Sequence, residues 1–324
     1  MNVQQWDIKA IIMDFYDKHI FIVGSGTIGK ALAVFLSRAG RKVTMVRGSV
    51  YEGNAMFHRF AVEMENGSKY EANVEVATLN SLAALDGMVV LATKSFGNEK
   101  LAGKLKAKMG KSPLVLLQNG LGIEQPFLRH GYKRVYRGVL FVTSQPIDDV
   151  AVRFKPVSTC PVGIEQGNAD QLNNIVAHLN TPGFGFKSDV NIQHTIWKKA
   201  IINCVFNSIC PLLEVDNGIF HRNPKTLKIA RRVIAECIHI AHAKGIALSS
   251  DDLETGLIQI SRLSDGQEIS TLQDMKRGRR TEIATLHDEI VRIAKQMNRR
   301  EAVQETKLLG ELTKIKAELA GHRT

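Results

Sequence analysis

Apolar and polar positions along the first half of the chain alternate between short β-branched runs and helix-spaced stretches. Ile20–Val23 is an apolar run, followed by Gly24-Ser25-Gly26-Thr27-Ile28-Gly29. Apolar positions then recur at helical spacing from Lys30 to Arg38, Ala39-Gly40 closes that helix, and Val43–Val46 is a second β-branched run. The order reads strand, glycine turn, helix, strand. Phe57–Leu79 reads as two strands joined at Asn66-Gly67, a dipeptide suited to a hairpin turn. Met88–Ala92 and Leu114–Leu117 continue the strands, with the helix-prone stretch Asn98–Gly110 between them. That alternation predicts a parallel sheet with crossover helices. Val135–Thr143 and Pro161–Ile164 extend the sheet, and Gln171–Leu179 adds a helix.

The texture changes from about Asn191. Long amphipathic helices are predicted over Gln193–Leu213, Pro224–Lys244, Asp251–Leu263, Thr281–Met297 and Glu301–Leu319. The expected architecture is α/β: an N-terminal Rossmann-type dinucleotide-binding domain followed by an all-α C-terminal domain. The boundaries are an extension over 1–18, a nucleotide domain over 19–190 and a helical substrate domain over 191–324. A chain of 324 residues is too long for most single cores, which favours two domains independently.

Charge and cysteine content change this picture little. The net charge of +11 raises the question of polyanions, among them nucleic acid, a phosphate-rich cofactor or an anionic substrate. The basic residues are spread apart from one cluster, Lys276–Arg280, and no RRM, KH or zinc-finger signature accompanies them, so no nucleic acid is expected. Cys160, Cys204, Cys210 and Cys237 are scattered with no CxxC, which predicts buried free thiols rather than disulfides or a zinc site. His239 and His242 share a helical face without a third ligand nearby, so no metal is expected; His194 and His287 receive no role. No run approaches the roughly 20 apolar residues of a membrane span. The N-terminus lacks the basic start and unbroken apolar core of a signal peptide, so a cytoplasmic protein is expected.

The glycine loop carries the first candidate chemistry. A GxGxxG match alone is weak, but here it follows a strand and opens a helix. Gly24 permits the tight turn, Gly26 lets the backbone approach a pyrophosphate, and Gly29 allows close helix–strand packing. The helix N-terminus offers N–H groups and partial positive charge to phosphate. Where NAD-binding folds place an acidic residue for the ribose 2′-OH, this chain has Arg47, followed by Gly48 and Ser49. An arginine there can grip a 2′-phosphate, which favours NADP, although an arginine merely solvated at a strand end would look the same. Lys94 and Asn119 stand just past predicted strands, where open sheets bind ligands, although ordinary loop polarity would also put them there.

The second candidate site is a stripe. Lys199, Asn203 and Asn207 recur every four residues along an otherwise apolar helix and therefore share one face. Burying an unpaired lysine is costly, so the stripe faces either a polar cavity or a polar seam between domains. Ser270 and Glu282 follow on later helices; Glu282 also reads as a first-turn charge after a Thr281 cap. A lysine in a cleft can donate a proton to a developing alkoxide or stabilise it.

With these residues in view, the chain resembles the ketopantoate reductase (2-dehydropantoate 2-reductase) family. The shared stretches are GSGTIG, TKSFG, LLQNGLG, WKKAIINCVFN, STLQD and GRRTEI, in the family's order. The resemblance implies that Gly24, Ser25, Gly26, Thr27, Ile28 and Gly29 hold the NADPH pyrophosphate, Arg47 holds the 2′-phosphate, and Lys94 and Asn119 contact the cofactor. It implies Lys199 as general acid, Glu282 as its active-site companion, and Asn203, Asn207 and Ser270 as substrate ligands. The implied reaction is NADPH-dependent reduction of 2-dehydropantoate to pantoate, on the way to pantothenate and coenzyme A. The implied partner is a small 2-oxo acid, with no membrane, and a homodimer is admitted. The chain departs from the family's pattern in places. The family often continues T-E-I-D and then Asn-Gly, whereas here Thr281-Glu282-Ile283-Ala284 runs on to His287-Asp288. The end of the first domain and the C-terminal stretch after Gln296 also differ. These departures motivate a sibling reductase of another 2-oxo acid as the alternative, and the basic balance a non-catalytic nucleotide sensor as a more distant one. The family usually begins almost at its first strand, which makes Met13 a candidate start.

Overall fold

The computed structural model describes residues 18–48 and 53–321. The N-terminal extension up to Asp17, with Met13, lies outside the described residues, as does Ser49. The chain forms two units: one runs to Gln118 and resumes over Ile123–Ile192, and the second comprises Asn119–Gly122 with Gln193 onward.

The first unit is built on β1 (His19–Val23), α1 (Thr27–Arg38), β2 (Val43–Arg47), β3 (Met56–Met64), β4 (Lys69–Thr78), β5 (Gly87–Leu91), α2 (Asn98–Met109) and β6 (Leu114–Leu116). It continues with α3 (Gln125–Arg129), β7 (Val135–Gly138), β8 (Val142–Pro146), β9 (Ala151–Pro156), β10 (Cys160–Gln166), α4 (Ala169–Leu179) and β11 (Phe186–Ser188). Among the described residues the strands form one sheet in the order β11-β10-β7-β6-β5-β1-β2-β4-β3-β9-β8. The centre, from β7 to β4, is parallel, which is why β1, β5 and β6 are apolar on both faces. The chain leaves β1 toward β2 and later returns to β5 on the other side of β1, so the sheet has its switch point at β1 and β5. Such a point opens a crevice at the carboxyl ends of the strands. One core packs α1 and α4 on one face; the other packs α2, Phe127 and Tyr132 on the opposite face.

The Val135–Thr143 expectation is corrected. The run breaks after Gly138, and residues from Val142 form β8 at the far edge of the sheet, paired with β9. Apolar content alone did not mark the break, because Val139 is still buried and bonds through its N–H to the Pro161 carbonyl at 2.9 Å.

The second unit is helical: α5 (Ile192–Leu213), α6 (Ile219–Arg222), α7 (Pro224–Ala243), α8 (Ser250–Leu263), α9 (Ser270–Lys276), α10 (His287–Gln296) and α11 (Gln304–Gly321). α5 is buried nearly all round from Ala200 to Cys210, as a core helix must be, and Phe206 meets Phe220 edge-on at 4.8 Å. Pro224 occupies the first turn of α7, and the Asn223 side chain accepts from the Lys225 and Thr226 N–H groups at 2.9 and 3.3 Å. All four cysteines are buried and free. Among the described residues no helix is long and apolar enough to cross a membrane.

The expected helix over Thr281–Met297 is also corrected. Ile283–Thr285 is a single 3-10 turn, Leu286 breaks the chain with φ −112° and ψ −91°, and α10 begins at His287. Thr281 therefore caps no helix, and the reading of Glu282 as a first-turn helix charge falls.

Candidate functional site

The glycine loop lies at the carboxyl end of β1. Gly24 has φ +122°, and a Cβ there would lie 2.9 Å from the Ala92 carbonyl carbon, so only glycine lets the loop pass the end of β5. A Cβ on Gly29 would fall 2.0 Å from the Gly24 carbonyl oxygen, which seats α1 directly on the turn. Gly26 is the N-cap of α1, and a Cβ there would meet nothing within 4 Å. The space in front of the α1 N-terminus is therefore open, beside the exposed Ser25 and the half-buried Thr27 and Ile28. A helix N-terminus facing open space through glycine fits a pyrophosphate. Arg47 ends β2 and is exposed; Gly48, next to it, approaches the Thr93 methyl, so the ends of β1, β2 and β5 converge.

Two buried amides organise the loops after β5 and β6. Asn98 Nδ2 donates to Gln118 Oε1 at 2.9 Å, and Gln118 Nε2 donates back to Asn98 Oδ1 at 2.8 Å. Asn98 also donates to the Ile123 carbonyl at 2.9 Å, and Gln118 reaches Thr93 Oγ1 at 3.1 Å and the Lys94 carbonyl at 3.3 Å. The pair staples the Thr93 hydroxyl and the Lys94 carbonyl to the end of β6 and leaves the Lys94 side chain exposed. Neither amide stood out in the sequence, because a reciprocal amide pair has no spacing signature.

In the second unit, Lys199 Nζ donates to Asn119 Oδ1 at 3.0 Å. Lys199 and Asn203 are half-buried and Asn207 is buried, so the stripe runs from accessible to enclosed along α5. The Thr271 hydroxyl donates to Asn207 Oδ1 at 2.7 Å. Ser270, the residue before it, is exposed at the start of α9. Thr271 was missed in the sequence; its place next to Ser270, already of interest, was the signal available there.

Glu282 precedes the 3-10 turn, whose Thr285 carbonyl accepts from the Leu121 N–H at 2.8 Å. The turn bearing Glu282 and the loop bearing Asn119 are thus bonded to each other, and Asn119 is bonded to Lys199. Gly120 and Gly122 in that loop have φ +101° and +66°; a Cβ on Gly120 would lie 2.5 Å from Thr285 Cβ, and one on Gly122 would lie 2.2 Å from Glu289 Oε1. Both glycines lie in the LLQNGLG stretch shared with the family, but from the sequence a role went to Asn119 alone. His287, also without a role there, is fully buried, and burial pushes its imidazole down to about 4. Among the described residues no group of three His, Cys, Asp or Glu side chains could hold a metal ion.

Two family models match the chain: Ketopantoate reductase PanE/ApbA over residues 20–164 and Ketopantoate reductase PanE/ApbA C terminal over residues 191–313. The chain is similar to the 2-dehydropantoate 2-reductase of Pyrococcus horikoshii, with 28% identity over 93% of this chain and 98% of that protein. The protein of the same name from Aquifex aeolicus is 26% identical over 85% of this chain and 89% of its own length. Among solved structures, 2-dehydropantoate 2-reductase from Geobacter metallireducens superposes with a TM-score of 0.81 at 21% identity, over 91% of this chain and 99% of that one. D-mandelate dehydrogenase with NADH and anilino(oxo)acetate gives a TM-score of 0.80 at 20% identity, over 93% and 99%. Identities this low establish the shared fold: a Rossmann-type domain followed by a helical one.

Proposed function

Because the chain belongs to the ketopantoate reductase family, we propose that it reduces 2-dehydropantoate to pantoate with NADPH, Lys199 serving as general acid. The observation that carries this reading is the Lys199–Asn119 hydrogen bond at 3.0 Å, on a loop itself bonded to the Glu282 turn. NADPH, when bound, supplies the hydride. Lys199 Nζ donates a proton to the ketone oxygen as negative charge develops there, which completes the alcohol. Asn119 Oδ1 holds Nζ in place before that transfer, and Glu282 helps to position lysine and substrate. Asn203, Asn207 and Ser270 bind the substrate's hydroxyl and carboxylate. Thr271 takes Asn207 Oδ1 and so leaves Nδ2 as the end of that amide able to donate to a substrate oxygen.

For the cofactor, the open cradle at Gly26 supports pyrophosphate binding by residues 24–29, with Lys94 and Asn119 further along the nucleotide. The exposed Arg47 at the end of β2 supports a grip on the 2′-phosphate and hence NADPH over NADH. A cytoplasmic location and a homodimer belong to the same reading; a ketopantoate reductase of Staphylococcus aureus is described as dimeric. Absorbance loss of NADPH on adding 2-dehydropantoate tests the proposal. Better turnover of another 2-oxo acid, or preference for NADH, would sink the corresponding part.

The second reading is a reductase of a different 2-oxo acid. It is supported by the departure from the family pattern after Ile283 and by the fold shared with D-mandelate dehydrogenase. A panel of aromatic and branched 2-oxo acids assayed alongside 2-dehydropantoate separates the two.

A further inference from the structure

We propose that Thr285 is a positioning residue that locks the Asn119–Gly122 loop to the Glu282 turn and thereby places Asn119 against Lys199. The inference rests on the reading of Lys199 as proton donor. It starts from the fact that one residue serves both sides of the junction. Its backbone carbonyl accepts from the Leu121 N–H at 2.8 Å, and its N–H donates to the Glu282 carbonyl at 3.1 Å. Its hydroxyl donates to the same Glu282 carbonyl at 3.2 Å. Its side chain also fills the space that a side chain at position 120 would need: a Cβ on Gly120 would lie 2.5 Å from both Thr285 Cβ and Oγ1 and 2.7 Å from the Thr285 carbonyl oxygen.

The loop therefore seats on Thr285 by shape as well as by hydrogen bonding. Threonine suits the position because its branched Cβ restricts χ1, which keeps the hydroxyl in one arrangement against Gly120. Gly122 is pressed against the Glu289 carboxylate in the same way, so the loop is held at two points on the Glu282 side. Asn119, the residue before this clamped segment, is the acceptor for Lys199 Nζ at 3.0 Å. Displacing the loop would move that acceptor away from the lysine.

The test compares Thr285→Ala, Thr285→Ser and Gly120→Ala in the full chain, together with Gly120→Ala combined with Thr285→Gly. The readouts are kcat, KM for NADPH, the alkaline limb of the kcat–pH profile, melting temperature, and hydrogen exchange at the Leu121 amide. Thr285→Ala is expected to lower kcat about tenfold, the scale of a sub-ångström misplacement, with KM for NADPH within about twofold. It is also expected to shift the alkaline limb and speed exchange at Leu121, with Thr285→Ser recovering most of the loss. Gly120→Ala is expected to cost less in the Thr285→Gly background, where two of its three close contacts are gone. A folded Thr285→Ala protein with unchanged kcat and pH limb overturns the proposal. Equal impairment by serine and alanine, in proportion to lost melting temperature, also overturns it, because that pattern belongs to folding alone. If the unmodified protein reduces no 2-oxo acid, the functional reading fails and the positioning role fails with it. Exchange at Leu121 then reports separately whether Thr285 holds the loop.

Discussion

His287 makes stability depend on pH in a defined window. The imidazole is fully buried at the start of α10, and α11 seals it: a Cβ on Gly310 would come 2.6 Å from His287 Cβ. Desolvation is the main cause of the pKa falling from the ordinary 6.5 to about 4; the Lys314 charge lowers it further, and the Cys204 backbone opposes. Above pH 6.5 the ring is neutral in both folded and unfolded chains, and nothing is lost. Below 6.5 the unfolded chain takes up a proton that the folded chain refuses until about pH 4. Stability therefore falls as pH drops through that interval. The gap, at about 1.4 kcal/mol per pH unit, is worth about 3 kcal/mol. Urea unfolding of the second unit's transition, measured from pH 8 to pH 4 on the natural chain and on His287→Leu, isolates this contribution, since other titrating groups cancel. The stability of the natural chain relative to the variant should shrink by about 3 kcal/mol between pH 7 and pH 4. A difference constant to within about 0.5 kcal/mol, well inside that figure, would refute the argument that burial holds this imidazole neutral.

Lys199→Ala should lower kcat by about 10²- to 10⁴-fold, the range of a lost general acid, with KM for the oxo acid changing far less; steady-state kinetics at saturating NADPH check this. Arg47→Ser should raise KM for NADPH about tenfold or more and leave KM for NADH nearly unchanged, because only the phosphate monoester loses its partner; parallel titrations with both cofactors decide it. Asn98→Leu leaves both polar ends of the buried Gln118 amide and the Ile123 carbonyl without Asn98, and should destabilise by about 1–3 kcal/mol. Adding Gln118→Leu should cost less than the sum of the single changes, measured by urea unfolding, because the second change removes the Gln118 Oε1 that lost its donor.

Much of this molecule follows from short-range pattern. Two-residue and 3.6-residue periods distinguish strand from helix locally, so β1, α1, β2 and the long helices α5, α7 and α8 were legible, as was the glycine turn between β1 and α1. The same periodicity placed Lys199, Asn203 and Asn207 on one face, since residues four apart on a helix are neighbours whatever surrounds them. Pattern failed where the chain's path depends on distant contacts. Residues 135–143 look like one strand but divide between two places in the sheet, and residues 281–297 look like one helix but break at Leu286. Short elements such as β11 and α6 lack the length to register a period at all.

The sequence by itself thus determined the order of β1 to β6 and of the long helices α5, α7 and α8, the glycine turn and the polar stripe, all consequences of bonds and spacings within a few residues. Only the tertiary structure decided the partners: Asn119 for Lys199, Thr271 for Asn207, Gln118 for Asn98 and Thr285 for Gly120. Those pairs join residues from 20 to 165 positions apart. A hydrogen bond or close contact across such a gap depends on where whole helices and strands come to rest, and no local period encodes that.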